Sequence, residues 1–145
     1  MNAQLTNGRK IMGRLPKGAD LLGALEEQCR THQITLGEVR AIGAVARARL
    51  GYYNQARRQY EFIDLDRPLE ILTLTGNVSL KDGKPMVHAH VTLADEEGRA
   101  FGGHLAEGAP VFACEFVIQE CRSPQVFRRA LDQETGLFLW AKDER

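Results

Sequence analysis

Three of the chain's four histidines fall in one short stretch, His88-Ala89-His90 and then His104 behind Gly102-Gly103. Residues two apart on a β-strand share a face and lie about 6.5–7 Å apart along it, so both imidazoles of such a pair can turn toward one ion. A hairpin supplies the third. If the loop Asp95 to Arg99 joins Ala94 directly to Ala100, His90 lies opposite His104 and His88 is the diagonal neighbour on the same face. Opposite and diagonal Cβ atoms lie roughly 4.5–8 Å apart, within reach of a shared metal. A β-bulge would break that parity, and Gly102-Gly103 is where one is expected. The two glycines also let a backbone or ligand approach His104 closely.

Three neutral imidazoles with a fourth position open are the donor set of a reactive zinc site, in contrast to a closed structural one. A cation held this way acidifies water or polarises a carbonyl on a small ligand. Imidazole also suits iron, nickel and copper, so the expectation is a divalent transition metal, zinc first. HxH pairs also occur on solvated strand faces that hold no ion, and residue types alone leave that alternative open. Glu107 is a candidate base or outer partner of the ligands. Glu96 and Glu97 are explained by a solvated turn, and His32 by the C-terminus of a helix.

The elements that must position these residues are legible along the chain. Asp20 is a suitable N-cap for a helix from Leu21 to His32, with Leu21, Leu22, Leu25, Gln28 and Cys29 at helical spacing. Strands are expected at Glu38 to Ile42, Val45 to Tyr53, Tyr60 to Leu65 and Leu69 to Leu80. Lys81-Asp82-Gly83-Lys84 carries the Asp-Gly hairpin signature, and Met86 to Ala94 runs back antiparallel. Ala100 to Leu105 and the apolar Val111 to Cys121 follow. Ser123-Pro124 resembles a helix start and predicts a short helix to about Leu131, before a last strand at Leu137 to Trp140. The expected fold class is α+β: a mixed, mainly antiparallel sheet packed with one long N-terminal helix and a short C-terminal helix. One domain over 1–145 is expected, with its core at about 9–121 and the C-terminal helix and strand at about 123–140.

With 145 residues, 43% of them hydrophobic, the chain can bury a real core. Its 19 basic and 19 acidic residues cancel, so no basic stripe for a phosphate backbone is present and little charge opposes self-association. No apolar run approaches the roughly 20 residues of a membrane span. The start, Met1 to Leu5, lacks an apolar signal region, and Cys29, Cys114 and Cys121 form no disulfide framework. A cytoplasmic protein with reduced thiols is expected.

The run Arg67-Pro-Leu-Glu-Ile-Leu-Thr-Leu-Thr-Gly76, then Val87-His-Ala-His-Val-Thr-Leu93, then Gly102-Gly-His-Leu105, resembles the plant and prokaryote conserved (PPC) domain. Gly18-Ala-Asp20, Ala41-Ile-Gly-Ala44 and Leu50-Gly-Tyr-Tyr53 match in style, so the resemblance runs from about Arg9 to Cys121. It implies a fold with a mixed or antiparallel sheet and a homotrimer. It also implies metal binding by His88, His90 and His104, which prokaryotic members keep and plant members largely lose. In plants the domain accompanies AT-hook DNA-binding motifs. This chain has no Arg-Gly-Arg-Pro hook and no basic tail, and Arg57-Arg58 and Arg128-Arg129 are isolated pairs. A small-molecule ligand therefore ranks above DNA. The alternative is a non-catalytic module that trimerises and binds DNA or a protein.

Overall fold

A computed structural model of the chain describes residues 2–141; residue 1 and residues 142–145, the outermost positions of the expected domain, lie outside the described residues. The chain order is β1 (Thr6–Arg14), α1 (Leu21–Thr31), β2 (Gly37–Val45), β3 (Ala48–Asn54), β4 (Gln59–Leu65), β5 (Leu69–Lys81), β6 (Lys84–Ala94), β7 (Ala100–Leu105), β8 (Val111–Arg122), β9 (Arg129–Leu131) and β10 (Phe138–Trp140). Eight strands form one sheet in the order β1-β8-β2-β5-β6-β7-β3-β4, every pair antiparallel, and β9 and β10 form a separate hairpin.

The expected α+β architecture with two helices is therefore corrected: the protein is mainly antiparallel β-sheet, and α1 is the single helix among the described residues. Three turns of helix form because Asp20 caps the first of them, its Oδ2 accepting from the Gly23 N–H at 3.0 Å. Its Oδ1 also accepts from Gly108 and Ala109 N–H, tying the helix start to the loop after β7. Leu21, Leu25 and Cys29 are buried against the sheet.

No helix follows Ser123-Pro124. The serine does accept from the Gln125 N–H, as a cap would, but only a turn results. Leu80 N–H then donates to Phe127 O, Phe127 packs edge-on to Trp140 at 5.1 Å, and the Trp140 indole N–H reaches the buried Ser79 Oγ. These long-range contacts outweigh a local helix signal worth about 1 kcal/mol.

The β1 strand carries no alternating pattern, because its residues are mostly exposed on both faces. It forms on the edge that β8 offers, and Arg9 anchors it with a two-pronged contact to Glu120. The break expected at Gly43-Ala44 falls at Ala46-Arg47 instead, so β2 runs on through Val45 and β3 begins at Ala48.

One face of the sheet is the core, where Val39, Leu74, Val78, Val87, Ala89 and Val91 are buried. The other face carries the β9–β10 hairpin at one end, where Arg129 bonds Asn77 and Trp140 bonds the buried Ser79, and no other layer covers it among the described residues. A single cross-strand row on that open face runs Met12, Val117, Arg40, Thr75, His90 and His104, each residue directly opposite the next. Opposed residues share a face, so the histidines look away from the helix.

Candidate metal centre

Two hairpins position the histidines. In the β5–β6 turn, Asp82 and Gly83 both take positive φ (50° and 74°), the type I′ geometry whose twist matches the strands it joins. The β6–β7 loop is held by the buried Asp95 carboxylate, which accepts from Glu97 N–H, Arg99 N–H and the Arg99 guanidinium. This loop closes Ala94 onto Ala100, and His90 lies opposite His104 with no bulge between them. The bulge expected at Gly102-Gly103 does not occur. These glycines serve close strand approach instead: a Cβ on Gly103 would lie 2.9 Å from Gly51 O.

His88 and His104 are half-buried and His90 is exposed, and one ligating atom from each lies within 4.8 Å of the others. Ring centroids are 5.1 to 5.7 Å apart. Modest side-chain rotation brings such nitrogens to the ~2.0–2.1 Å bonds zinc makes with imidazole. Two further observations fit a cation here. His104 Nδ1 is buried with no hydrogen-bond partner among the described residues, an expense that a ligand bond removes. Burial also pushes the His88 imidazolium pKa down to about 4, with Arg129, His104 and His90 adding to the effect. Burial lowers His104 too, followed by His90 and Arg129. Both rings are thus held neutral, the form that ligates.

The surroundings include residues without a sequence signal. Tyr60, on β4, packs against His104 with ring centroids 4.8 Å apart and the planes tilted by 34°. Gly51 lies opposite His104, and a Cβ there would crowd both rings at 3.1 to 3.4 Å. Asn77, opposite His88, accepts from the Arg129 guanidinium at 2.6 Å. All depend on β3, β4 and the C-terminal hairpin meeting the histidine strands, which local patterns do not encode. On the core side, Glu26 of α1 accepts from Val87 N–H, in the part of β6 that β7 does not reach. Glu107 lines a small concavity with Arg47, Arg49 and Asp64, apart from the histidines. Glu97 pairs with Arg99 in its turn.

His88 stands between two concavities. One, about 730 Å³, opens beside His90, Arg40 and Trp140; the other, about 320 Å³, opens beside His104, Tyr60 and Arg129. The arrangement can hold a cation and leave space for a small molecule on either side.

Residues 2–122 match the Plants and Prokaryotes Conserved (PCC) domain. The fold is similar to that of a metal-containing protein from Archaeoglobus fulgidus, 42% identical, with a TM-score of 0.92 over 98% of this chain and 99% of that one. It is equally similar to a plant- and prokaryote-conserved (PPC) protein from Pyrococcus horikoshii, 36% identical, TM-score 0.92, covering 100% and 99%. A candidate DNA-binding protein from Ralstonia eutropha JMP134 is 29% identical, TM-score 0.80, covering 90% of each chain. The bifunctional protein GlmU of Synechococcus sp. (strain JA-3-3Ab) is 34% identical over 124 residues, which is 85% of this chain but 19% of that protein. The chain thus spans about a fifth of the curated relative it matches. Blocks that resembled the family in sequence coincide with the strands of the histidine hairpins, and the chain belongs to the Plants and Prokaryotes Conserved domain family.

Proposed function

We propose that His88, His90 and His104 bind one divalent transition metal, zinc first, and leave a position open to a small ligand. The observation that carries this reading is the convergence of three imidazoles on one face with no competing partner for His104 Nδ1. The metal-containing Archaeoglobus fulgidus relative supports it. When bound, such a cation supplies Lewis acidity toward an oxygen of that ligand. The protein's own contribution is to keep His88 and His104 neutral, to orient His104 against Tyr60, and to offer concavities on both sides of His88.

The test is elemental analysis of untagged, freshly purified protein beside His88→Ala and His104→Ala. Near-stoichiometric transition metal in the wild type and its loss in both variants is the expected result. Unchanged metal content in His104→Ala would overturn the assignment.

We further propose that the protein acts as a homotrimer. Met12 and Ile42, 73% and 57% exposed on the open face, support self-association. The free cysteines support a reducing, cytoplasmic setting. Among the described residues no helix is long and apolar enough to cross a membrane. A second reading, DNA binding, is favoured by the Ralstonia eutropha relative. It requires duplex affinity that falls steeply with salt, and a gel shift at low salt decides it.

A further inference from the structure

The smaller concavity beside His104 has a charge distribution that the other concavities described do not share, since each of those is lined by at least one carboxylate. Arg58 from the β3–β4 turn, Lys81 from β5 and Arg129 from β9 line it, and no aspartate or glutamate does. Elsewhere cations such as Arg9, Arg57 and Arg99 each face a carboxylate. Among the described residues none of the three forms an ion pair with a carboxylate. The Arg58 guanidinium donates to the backbone carbonyls of Gln133 and Glu134. Lys81 Nζ lies 3.9 Å over the Phe138 ring.

Arg129 is the most informative of the three. It is nine-tenths buried, and its guanidinium reaches only neutral acceptors, Asn77 Oδ1 and Phe138 O. Its Nε is buried without a partner. A buried cation with no counter-charge is costly, and the cost falls sharply when an anion shares its site. A planar fork suits carboxylate and phosphate oxygens, and about 320 Å³ is the lower end of the range for small-molecule sites. Tyr60 and Phe138 give the same space an aromatic wall. Arg129 and Phe138 follow the stretch 2–122 that matches the family, so the hairpin that carries them can set ligand identity separately from the histidines.

We propose that this concavity binds a small organic anion, a carboxylate or phosphate monoester with an apolar group, its oxygens toward Arg129, Lys81 and Arg58. The proposal deepens the metal-site reading and rests on it for the role of His88 and His104 as the site's metal-bearing wall. The cationic pocket itself needs no metal, which separates the two experimentally.

The experiment is calorimetric titration of benzoate and of phenyl phosphate into the wild type, metal-free and zinc-loaded, with benzyl alcohol as the uncharged probe. Arg58→Ala, Lys81→Ala and Arg129→Gln are titrated in parallel. Saturable binding of either anion, none of benzyl alcohol, and weakening by about tenfold in Lys81→Ala and in Arg129→Gln is the expected result. If Arg129→Gln fails to fold by circular dichroism, the two surface variants carry the decision. Equal affinity in wild type, Arg58→Ala and Lys81→Ala overturns the proposal. So does the absence of saturable binding of both anions in both metal states, or benzyl alcohol binding as well as benzoate. Anion binding by a wild type that takes up no zinc removes the zinc reading and keeps the pocket; zinc uptake without anion binding does the reverse.

Discussion

At Gly76, opposite Ala89 between the positions that pair with His88 and His90, the strands approach too closely for any side chain. A Cβ there would lie 2.3 Å from His88 O and 2.8 Å from Ala89 Cα, both backbone atoms that cannot swing aside. Gly76→Ala must therefore push β5 and β6 apart where His88 and His90 are spaced. We expect a loss of about 1–3 kcal/mol of stability, the usual range for overpacking, together with weaker zinc uptake. Thermal unfolding and metal content of the variant check both, and unchanged values for either show that the strands have room to relax. The cysteines illustrate the opposite situation, in which local burial removes chemistry. Desolvation pushes the Cys29 thiol up to about 12 and Cys114 up to about 11, so neither is a thiolate at neutral pH.

Among the elements, β1 depends most on charge. Arg9 bonds Glu120 of β8 through Nε and Nη2, and Nη2 also reaches His32 O at the end of α1. The side-chain hydrogen bonds from Arg9 come first in holding the Glu120 carboxyl down at about 2. A carboxyl depressed in the folded state stabilises it fully above its unfolded pKa, about 4.3, and that contribution is lost as pH falls through the folded value. Thermal midpoints measured from pH 7 to pH 2 should fall between about 4.3 and 2. Glu120→Gln should start lower and show a flatter dependence over the same window. Identical slopes would mean that other carboxylates govern acid unfolding. The β9–β10 hairpin depends instead on Phe127, Trp140 and Arg129, each anchored to β5 or to its own hairpin partner.

For the whole molecule, one helix covers one side of an eight-stranded sheet, and the side bearing the histidines is covered only at one end, by the β9–β10 hairpin. Met12 and Ile42 lie there beside Arg14, Thr73 and Val117, around a concavity of about 780 Å³. Exposed apolar surface of this kind is expected to be covered by other copies of the chain. Light scattering after size exclusion should give three times the chain mass for the wild type. A Met12→Asp, Ile42→Asp double variant should give smaller species; an unchanged mass would place the contact elsewhere.

Much of the site could be read before any tertiary structure, because it is built from local periodicity. The His88–His90 spacing fixes a common face at a period of two, and the loop from Asp95 to Arg99 fixes which residue meets His90. Asp20 and the Asp82-Gly83 turn were likewise visible from their own residues. The chain also contains signals that tertiary contacts overrule or supply. Ser123-Pro124 promised a helix, and Phe127, Arg129 and Trp140 drew the segment into a hairpin. The β1 strand has no apolar alternation and exists only because β8 offers an edge and Glu120 a counter-charge. Tyr60 and Arg129 reach the histidines from strands distant in the chain, and no spacing rule connects them. The sequence by itself determined that His88, His90 and His104 share a face and which hairpins align them, since strand parity and turn chemistry act over a few residues. Tertiary structure alone decided the walls around those histidines, the β1 strand and the C-terminal hairpin, since those rest on pairings between distant segments that only folding brings together.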